Sequence, residues 1–87
     1  MNIEKVFHQR NGQIIVNSMK CNIFEKFCKK GRVLCNWDEG VTEYGWFKCI
    51  LFALPDEGLY MYKRWQPAFG YSWDEEIIYK IQTGDEE

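Results

Sequence analysis

Tyr44-Gly45-Trp46-Phe47-Lys48-Cys49-Ile50-Leu51-Phe52-Ala53-Leu54 is the stretch that decides the fold. At the two-residue period of a β-strand, its faces are Phe47/Cys49/Leu51/Ala53 and Trp46/Ile50/Phe52/Leu54, both apolar apart from Lys48. A strand that is apolar on both faces is covered on both, so it belongs in the interior of a sheet. The apolar run from Cys49 to Pro55 has the length of a buried strand. It falls far short of the roughly 18 residues needed for a membrane-spanning helix.

Strand signals continue on both sides of it. Pro55-Asp56-Glu57-Gly58 is a turn, and Gly58 to Trp65 follows as a strand in which Leu59 and Met61 alternate with Tyr60 and Tyr62. After an irregular stretch from Gln66 to Trp73, Glu75 to Gln82 reads as the last strand, with Ile77, Tyr79 and Ile81 on one face. Upstream, Arg32 to Trp37 reads as a strand, and Asp38-Glu39-Gly40 as the start of a polar connection. Asn11-Gly12 is the strongest short-range signal, since both residues tolerate the positive φ angles of a type I′ hairpin turn. Its arms are Asn2 to Gln9 and Gln13 to Asn17, with Phe7 near Val16.

One helix is expected between these groups. Asn22-Ile23-Phe24-Glu25 has the form of a capping box, and Ile23, Phe24, Phe27 and Cys28 share a helical face. Lys29 and Lys30 lie where the helix dipole favours cations, and Gly31 is placed to supply the C-terminal cap. Ser18 is an earlier possible cap, which would add Met19, Lys20 and Cys21 to the helix, and both starts remain open. The expected fold is therefore a single small α+β domain over residues 1–82. It has an antiparallel sheet of about five to six strands in the order β-β-α-β-β-β, one helix packed on one face, and a flexible acidic tail at residues 83–87.

Charge and aromatic content are divided unequally over this framework. Residues 1–32 carry seven Lys/Arg against two Glu, a balance of +5, whereas residues 33–87 carry four against eleven, a balance of −7, and hold twelve of the fifteen aromatic residues. No apolar run of signal-peptide length occupies Met1 to Arg10, and the expectation is a cytoplasmic chain with reduced thiols.

Chemical motifs are few. Cys21, Cys28, Cys35 and Cys49 are spaced by seven, seven and fourteen residues, without the close pairs that aim two thiolates at one metal ion. They read as small apolar residues rather than zinc ligands or a disulfide scaffold. His8, the single histidine, lies on the first hairpin with no indicated partner and reads as a surface residue rather than a base for a cysteine nucleophile. The acid groups Asp38/Glu39, Asp56/Glu57 and Asp74/Glu75/Glu76 read as solvated loop charge rather than as acid/base or metal-binding carboxylates. No catalytic residue, metal site or cofactor is expected, and the chain reads as a non-enzymatic protein.

Recognition surfaces remain. Lys20, Lys26, Lys29, Lys30 and Arg32 form a modest basic patch, but a formal charge of −2 lacks the excess that drives phosphate affinity, so direct nucleic-acid binding is disfavoured. The expected partner surface is aromatic and acidic. Trp65, Phe69, Tyr71 and Trp73 act as anchors, Tyr60 and Tyr62 lie beside them, and Asp74, Glu75 and Glu76 face the partner. Such a surface suits a protein with a basic groove, of the kind that handles nucleic acids. The alternative is a nucleotide or single-strand binder that stacks bases on Trp and Tyr and uses Lys29, Lys30 or Arg32 for phosphate.

The helix, Lys30-Gly31-Arg32-Val33, Trp37 and a late Trp73 before an acidic pair together resemble short stretches of small phage anti-defence proteins that sequester the cyclic-nucleotide signal of Thoeris systems. The resemblance covers only those residues. The polar ligand-reading motif of that group is not evident in the final third, so no site residue is carried over. In size, acidity and lack of catalytic machinery the chain is similar in type to small phage-borne inhibitors, anti-CRISPR proteins among them.

Overall fold

The computed structural model describes residues 2–17, 23–55 and 57–82. They form β1 (Asn2–Arg10), β2 (Gln13–Asn17), α1 (Ile23–Lys30), β3 (Arg32–Thr42), β4 (Gly45–Leu54), β5 (Gly58–Pro67) and β6 (Glu75–Gln82). Among the described residues the fold is one six-stranded sheet with a single short helix, in the spatial order β2-β1-β6-β5-β4-β3, and every neighbouring pair is antiparallel. Four strands follow the helix where the order β-β-α-β-β-β allowed three. The expected tail at residues 83–87, the caps Ser18 and Asn22, and Met19, Lys20, Cys21 and Asp56 lie outside the described residues.

β4 is interior, as its two apolar faces require, with β3 on one side and β5 on the other. Its register with β5 runs without interruption from Gly45↔Pro67 to Leu54↔Gly58. Alternation along that register separates two faces. Phe52, Leu54 and Tyr60 lie on the first, and with Val6, Phe7, Ile78 and Ile23 of α1 they make the core cluster. Phe52 is 0% exposed, stacked 5.6 Å from Tyr60 and 4.2 Å from the ring of Phe27. Phe47, Cys49, Lys63, Trp65, Glu75 and Ile77 lie on the second face.

Several local departures from the expected pattern have physical causes. The Asn11-Gly12 turn forms as read, with φ of 48° and 83°, and Arg10 faces Gln13. The register then slips between His8 and Gln9, so Phe7 meets Asn17 instead of Val16, and His8 meets Val16. A second irregularity, opposite β6, makes Val6 an extra residue between Lys5 and Phe7. Such a bulge lets two successive side chains turn toward one side. Val6 and Phe7 both enter the core cluster, and His8 is left on the opposite face.

His8 is therefore not a surface residue. It is 7% exposed, and β1 runs in the middle of the sheet rather than at its edge. β3 also extends beyond Trp37 through Asp38-Glu39-Gly40 to Thr42, because Asp38 and Glu39 pair with Lys48 and Phe47 of β4. Gly31 is not a left-handed cap. Its amide continues the helical ladder to the Phe27 carbonyl at 2.9 Å, and its role is spatial, since a Cβ there would lie 2.5 Å from the Phe27 ring.

Candidate functional site

Beyond β5 the chain leaves the sheet and crosses one end of the second face before re-entering as β6, and this crossing builds a pocket. It is held at several points. The Ala68 amide donates to the Tyr44 carbonyl at 3.0 Å, and the Tyr71 amide donates to the Ala68 carbonyl at 3.1 Å. The latter closes a tight turn over residues 68–71, with Gly70 at φ 94° in the third position, where a type II turn needs a residue free to take positive φ. At the far end the Asn11 amide donates to the Asp74 carbonyl at 2.6 Å, while the Asp74 amide donates to Asn11 Oδ1 at 2.9 Å. The tip of the first hairpin thus pins the segment that leads into β6.

The pocket is open to solvent, has a volume of about 420 Å³ and is lined by Tyr44, Phe47, Trp65, Tyr71, Ser72, Trp73 and Glu75. Its floor is the edge-to-face pair of Phe47 and Trp65, whose centroids are 5.0 Å apart at 73°. Tyr44 and Tyr71 form a second edge-to-face pair, 5.2 Å apart at 83°. Edge-to-face packing sets the positive rim of one ring against the negative face of another and fixes both orientations. Gly45 makes the floor possible, since with φ of 144° its backbone passes so close to β5 that a Cβ would lie 2.8 Å from the Trp65 ring. The Trp65 indole N–H is buried without a hydrogen-bond partner, as is that of Trp46.

One wall is a charged cluster. Glu75, 7% exposed, takes His8 Nε2 on Oε2 at 2.6 Å and Trp73 Nε1 on Oε1 at 3.1 Å, with Arg10 Nε 3.7 Å from Oε2. Burial pushes the Glu75 carboxyl up, but the hydrogen bonds from His8 and Trp73 and the charge of Arg10 outweigh it and hold the carboxyl below its ordinary value. An ionised carboxylate only accepts hydrogen bonds, so the proton in this pair belongs to His8 Nε2. The Arg10 guanidinium also stands 5.2 Å over the Trp73 ring, so the indole is held on its face and at its N–H.

A second cluster adjoins the floor on the same face. Lys63 binds Glu39 at 2.5 Å and stands 5.1 Å from the Phe47 ring, and Trp37 Nε1 donates to Glu39 at 2.9 Å. Those two hydrogen bonds, the one from Lys63 foremost, lower the Glu39 pKa. Cys49 lies buried alongside, and burial raises its thiol pKa, the opposite of what a nucleophilic cysteine requires.

The residues expected at a partner surface are divided by the structure. Trp65, Tyr71, Trp73 and Glu75 come together as pocket lining. Phe69 projects from the turn into solvent, fully exposed. Asp74 is exposed next to Trp73. Glu75, however, is turned inward and spent on His8, Trp73 and Arg10, and Glu76 accepts a hydrogen bond from the half-buried Tyr62 hydroxyl on the other face. Burial and then that bond push the Tyr62 pKa strongly up. Tyr60, 5% exposed in the core cluster, offers no surface to a partner.

Sequence reasoning did not single out Tyr44, Phe47, Ser72, Arg10 or His8 for this site. Phe47 could have been found. Folding the chain about the Pro55–Gly58 turn so that Leu54 faces Gly58 carries Phe47 onto Trp65, eighteen residues later, on one face. Arg10 and His8 could not, because their place depends on β1 pairing with β6 and on the Val6 bulge.

Among the described residues no group of three or more His, Cys, Asp or Glu could hold a metal ion, and no helix is long and apolar enough to cross a membrane. Comparison with family models, with curated proteins and with solved structures returns no match for this chain.

Proposed function

We propose that this chain is a non-enzymatic binding protein that engages a protein partner through the aromatic end of its sheet and acts by occluding the surface it covers. The observation that carries this reading is the pairing of a fully exposed Phe69 with an aromatic pocket built by the same turn. An exposed Phe on a rigid turn is a knob that costs a monomer solvation without adding to its core, whereas the pocket is a hole sized for one apolar or flat side chain. Both are held in place before binding by the backbone bonds to Tyr44 and Asn11, so little ordering entropy is lost on association.

Val41, Tyr44, Tyr71 and Trp73 add exposed apolar area around Phe69. Glu43 and Asp74 are exposed at the same end and form no ion pair among the described residues. They favour a partner with a basic groove, as in a protein that handles nucleic acids, and steer the encounter while the aromatics set the residence time. The expected acidic contribution is smaller than three adjacent acids implied, because Glu75 and Glu76 are engaged internally. An inhibitor of the phage anti-defence type is the role that fits a small binder of this kind.

Affinity capture from lysate at rising salt, run in parallel with variants, tests the reading. The wild-type chain is expected to retain a basic partner that is released by salt, Phe69→Ala to lose it, and Ile14→Ala, an exposed apolar residue on β2, to keep it. Equal retention by Phe69→Ala and wild type would remove the site from this end of the sheet.

A second reading, a nucleotide or single-strand binder, is favoured by one observation: the half-exposed Arg10 guanidinium over Trp73 sets a cation at the lip of a stacking pocket. It requires tryptophan fluorescence to quench on addition of nucleotides or oligonucleotides, and an unchanged signal at high micromolar ligand excludes it.

A further inference from the structure

β3 is one rim of the sheet. It pairs with β4 on one side only, and no strand among the described residues takes up the outward-facing backbone groups on its other side. All of its residues except Trp37 are exposed. Natural edges are blunted by shortness, bulges or dispersed charge, because a long free edge is a template for another strand. β3 has 11 residues, and its irregularities, an extra residue at Leu34 and another between Glu39 and Thr42, leave Cys35 to Glu39 regular between them. The opposite rim, β2, has five residues, none of them charged.

The charges of β3 are sorted along its length. Arg32 opens the strand directly after Lys29 and Lys30 of α1, and Asp38 and Glu39 stand toward its far end. Neither Arg32 nor Asp38 forms an ion pair among the described residues. A strand with a basic beginning and an acidic end is complementary to itself when antiparallel and repels itself when parallel. Antiparallel pairing of identical edges is also the arrangement that a two-fold axis generates, with each contact made twice.

We propose that β3 pairs antiparallel with β3 of a second copy of this chain, about a two-fold axis at Asn36, and continues the sheet across the dimer. With Asn36 opposite its own equivalent, Cys35 faces Trp37. After the same one-residue skip at Leu34 that β4 already accommodates, Val33 faces Asp38 and Arg32 faces Glu39. Each of these pairs lies on one face of the joined sheet. Arg32 of each copy then meets the adjacent acids of the other, and the exposed Val33 and Leu34 lose water on pairing. The interface is narrow, so the dimer is a reversible one. The aromatic pocket lies on one face of the sheet rather than along its rim and stays open in both copies.

Sedimentation equilibrium on the full chain tests this, with the mass expected to rise from monomer to dimer between about 10 μM and about 1 mM. Arg32→Glu sets a carboxylate against Glu39 and beside Asp38 across the axis, twice, and is expected to weaken the dimer about tenfold. Adding Asp38→Lys to Arg32→Glu leaves Glu39 opposite the new carboxylate but sets a lysine beside it, and the double variant is expected to dimerise about threefold more tightly than Arg32→Glu alone. Both residues are exposed, so an unchanged circular dichroism spectrum separates lost pairing from lost fold. Across the axis the two Cys35 residues form a diagonal pair about 7–8 Å apart, within reach of a short bismaleimide. The cross-linked dimer should persist in Cys28→Ser and vanish in Cys35→Ser. Monomer mass throughout the range, a double variant as weak as Arg32→Glu, or a dimer dissolved by Phe69→Ala and indifferent to the charge changes would each overturn the pairing.

Discussion

The two faces of this sheet use the same kinds of residue to opposite ends. On the core face, Phe52, Tyr60 and Phe27 stack against one another and against Val6, Phe7 and Ile78, and the rings serve as filler excluded from water. On the other face, Phe47 meets Trp65 and Tyr44 meets Tyr71 edge to face, and with Trp73 they surround space that they do not fill. The difference lies in what holds each group. Mutual packing and the helix residues Ile23 and Phe27 hold the first, whereas backbone hydrogen bonds to Tyr44 and Asn11 and the Glu75 cluster hold the second. An aromatic-rich sequence is thus divided by its supports, and the division can be broken from either side.

The largest effect is expected on the core face. Phe52→Ala empties the centre of the cluster and should cost about 4 kcal/mol in urea unfolding, close to the whole stability of a small domain. A loss under about 1 kcal/mol would mean that the two faces are not distinct in the way their packing implies.

Glu75→Ala comes next, at about 3 kcal/mol, since it leaves His8 and Trp73 without the carboxylate that both bind. This contribution depends on pH. The folded-state pKa of Glu75 lies below the ordinary 4.5, so its stabilisation is full above that value and is lost as pH falls through the folded pKa. Wild type should therefore lose stability below about pH 4.5 more steeply than the variant, and parallel acid profiles would show that the cluster does not support the wall.

Gly45→Ala is expected to cost about 2 kcal/mol from strained φ and collision with β5 and the Trp65 ring. It sharpens the comparison because the Phe47–Trp65 floor should be displaced while the Phe52 stack is not, which tryptophan emission would report.

Phe69→Ala has the smallest effect on stability, within about 0.5 kcal/mol by thermal unfolding, because a fully exposed ring contributes no core contact. If it destabilised the chain by more than about 1 kcal/mol, Phe69 would be a structural residue and the knob would lose its meaning.

Much of this was legible in the sequence because it is local. Asn11-Gly12 specifies its turn by backbone conformation, the two apolar faces of Tyr44 to Leu54 specify an interior strand, and Glu75 to Gln82 alternates as a strand should. The aromatic excess of Gln66 to Trp73 coincides with the crossing that builds the pocket. What escaped was set by register. Tyr60 and Tyr62 share a face with Arg64, as alternation says, but alternation cannot tell which face meets the core, and Tyr60 proved to be inside. His8 became buried because one extra residue at Val6 lets two neighbours turn inward and leaves His8 aimed at Glu75. The acids Asp74, Glu75 and Glu76 look alike in the chain, yet strand alternation sends them to solvent, to a buried cluster and to a tyrosine.

The pairing of β1 with β6 in the middle of the sheet, where Asn2 meets Gln82, also sets the order in which the molecule can assemble. The hairpins from β3 to β6 each join neighbours in sequence and can form as soon as their strands exist. The β1–β2 hairpin, synthesised before β6, must wait for it, and its closure spans Asn2 to Gln82. Until then the exposed edge of β6 and the unfilled site of Phe7 are the places where a wrong strand could enter, so the slow, error-prone step of folding is the joining of the two ends.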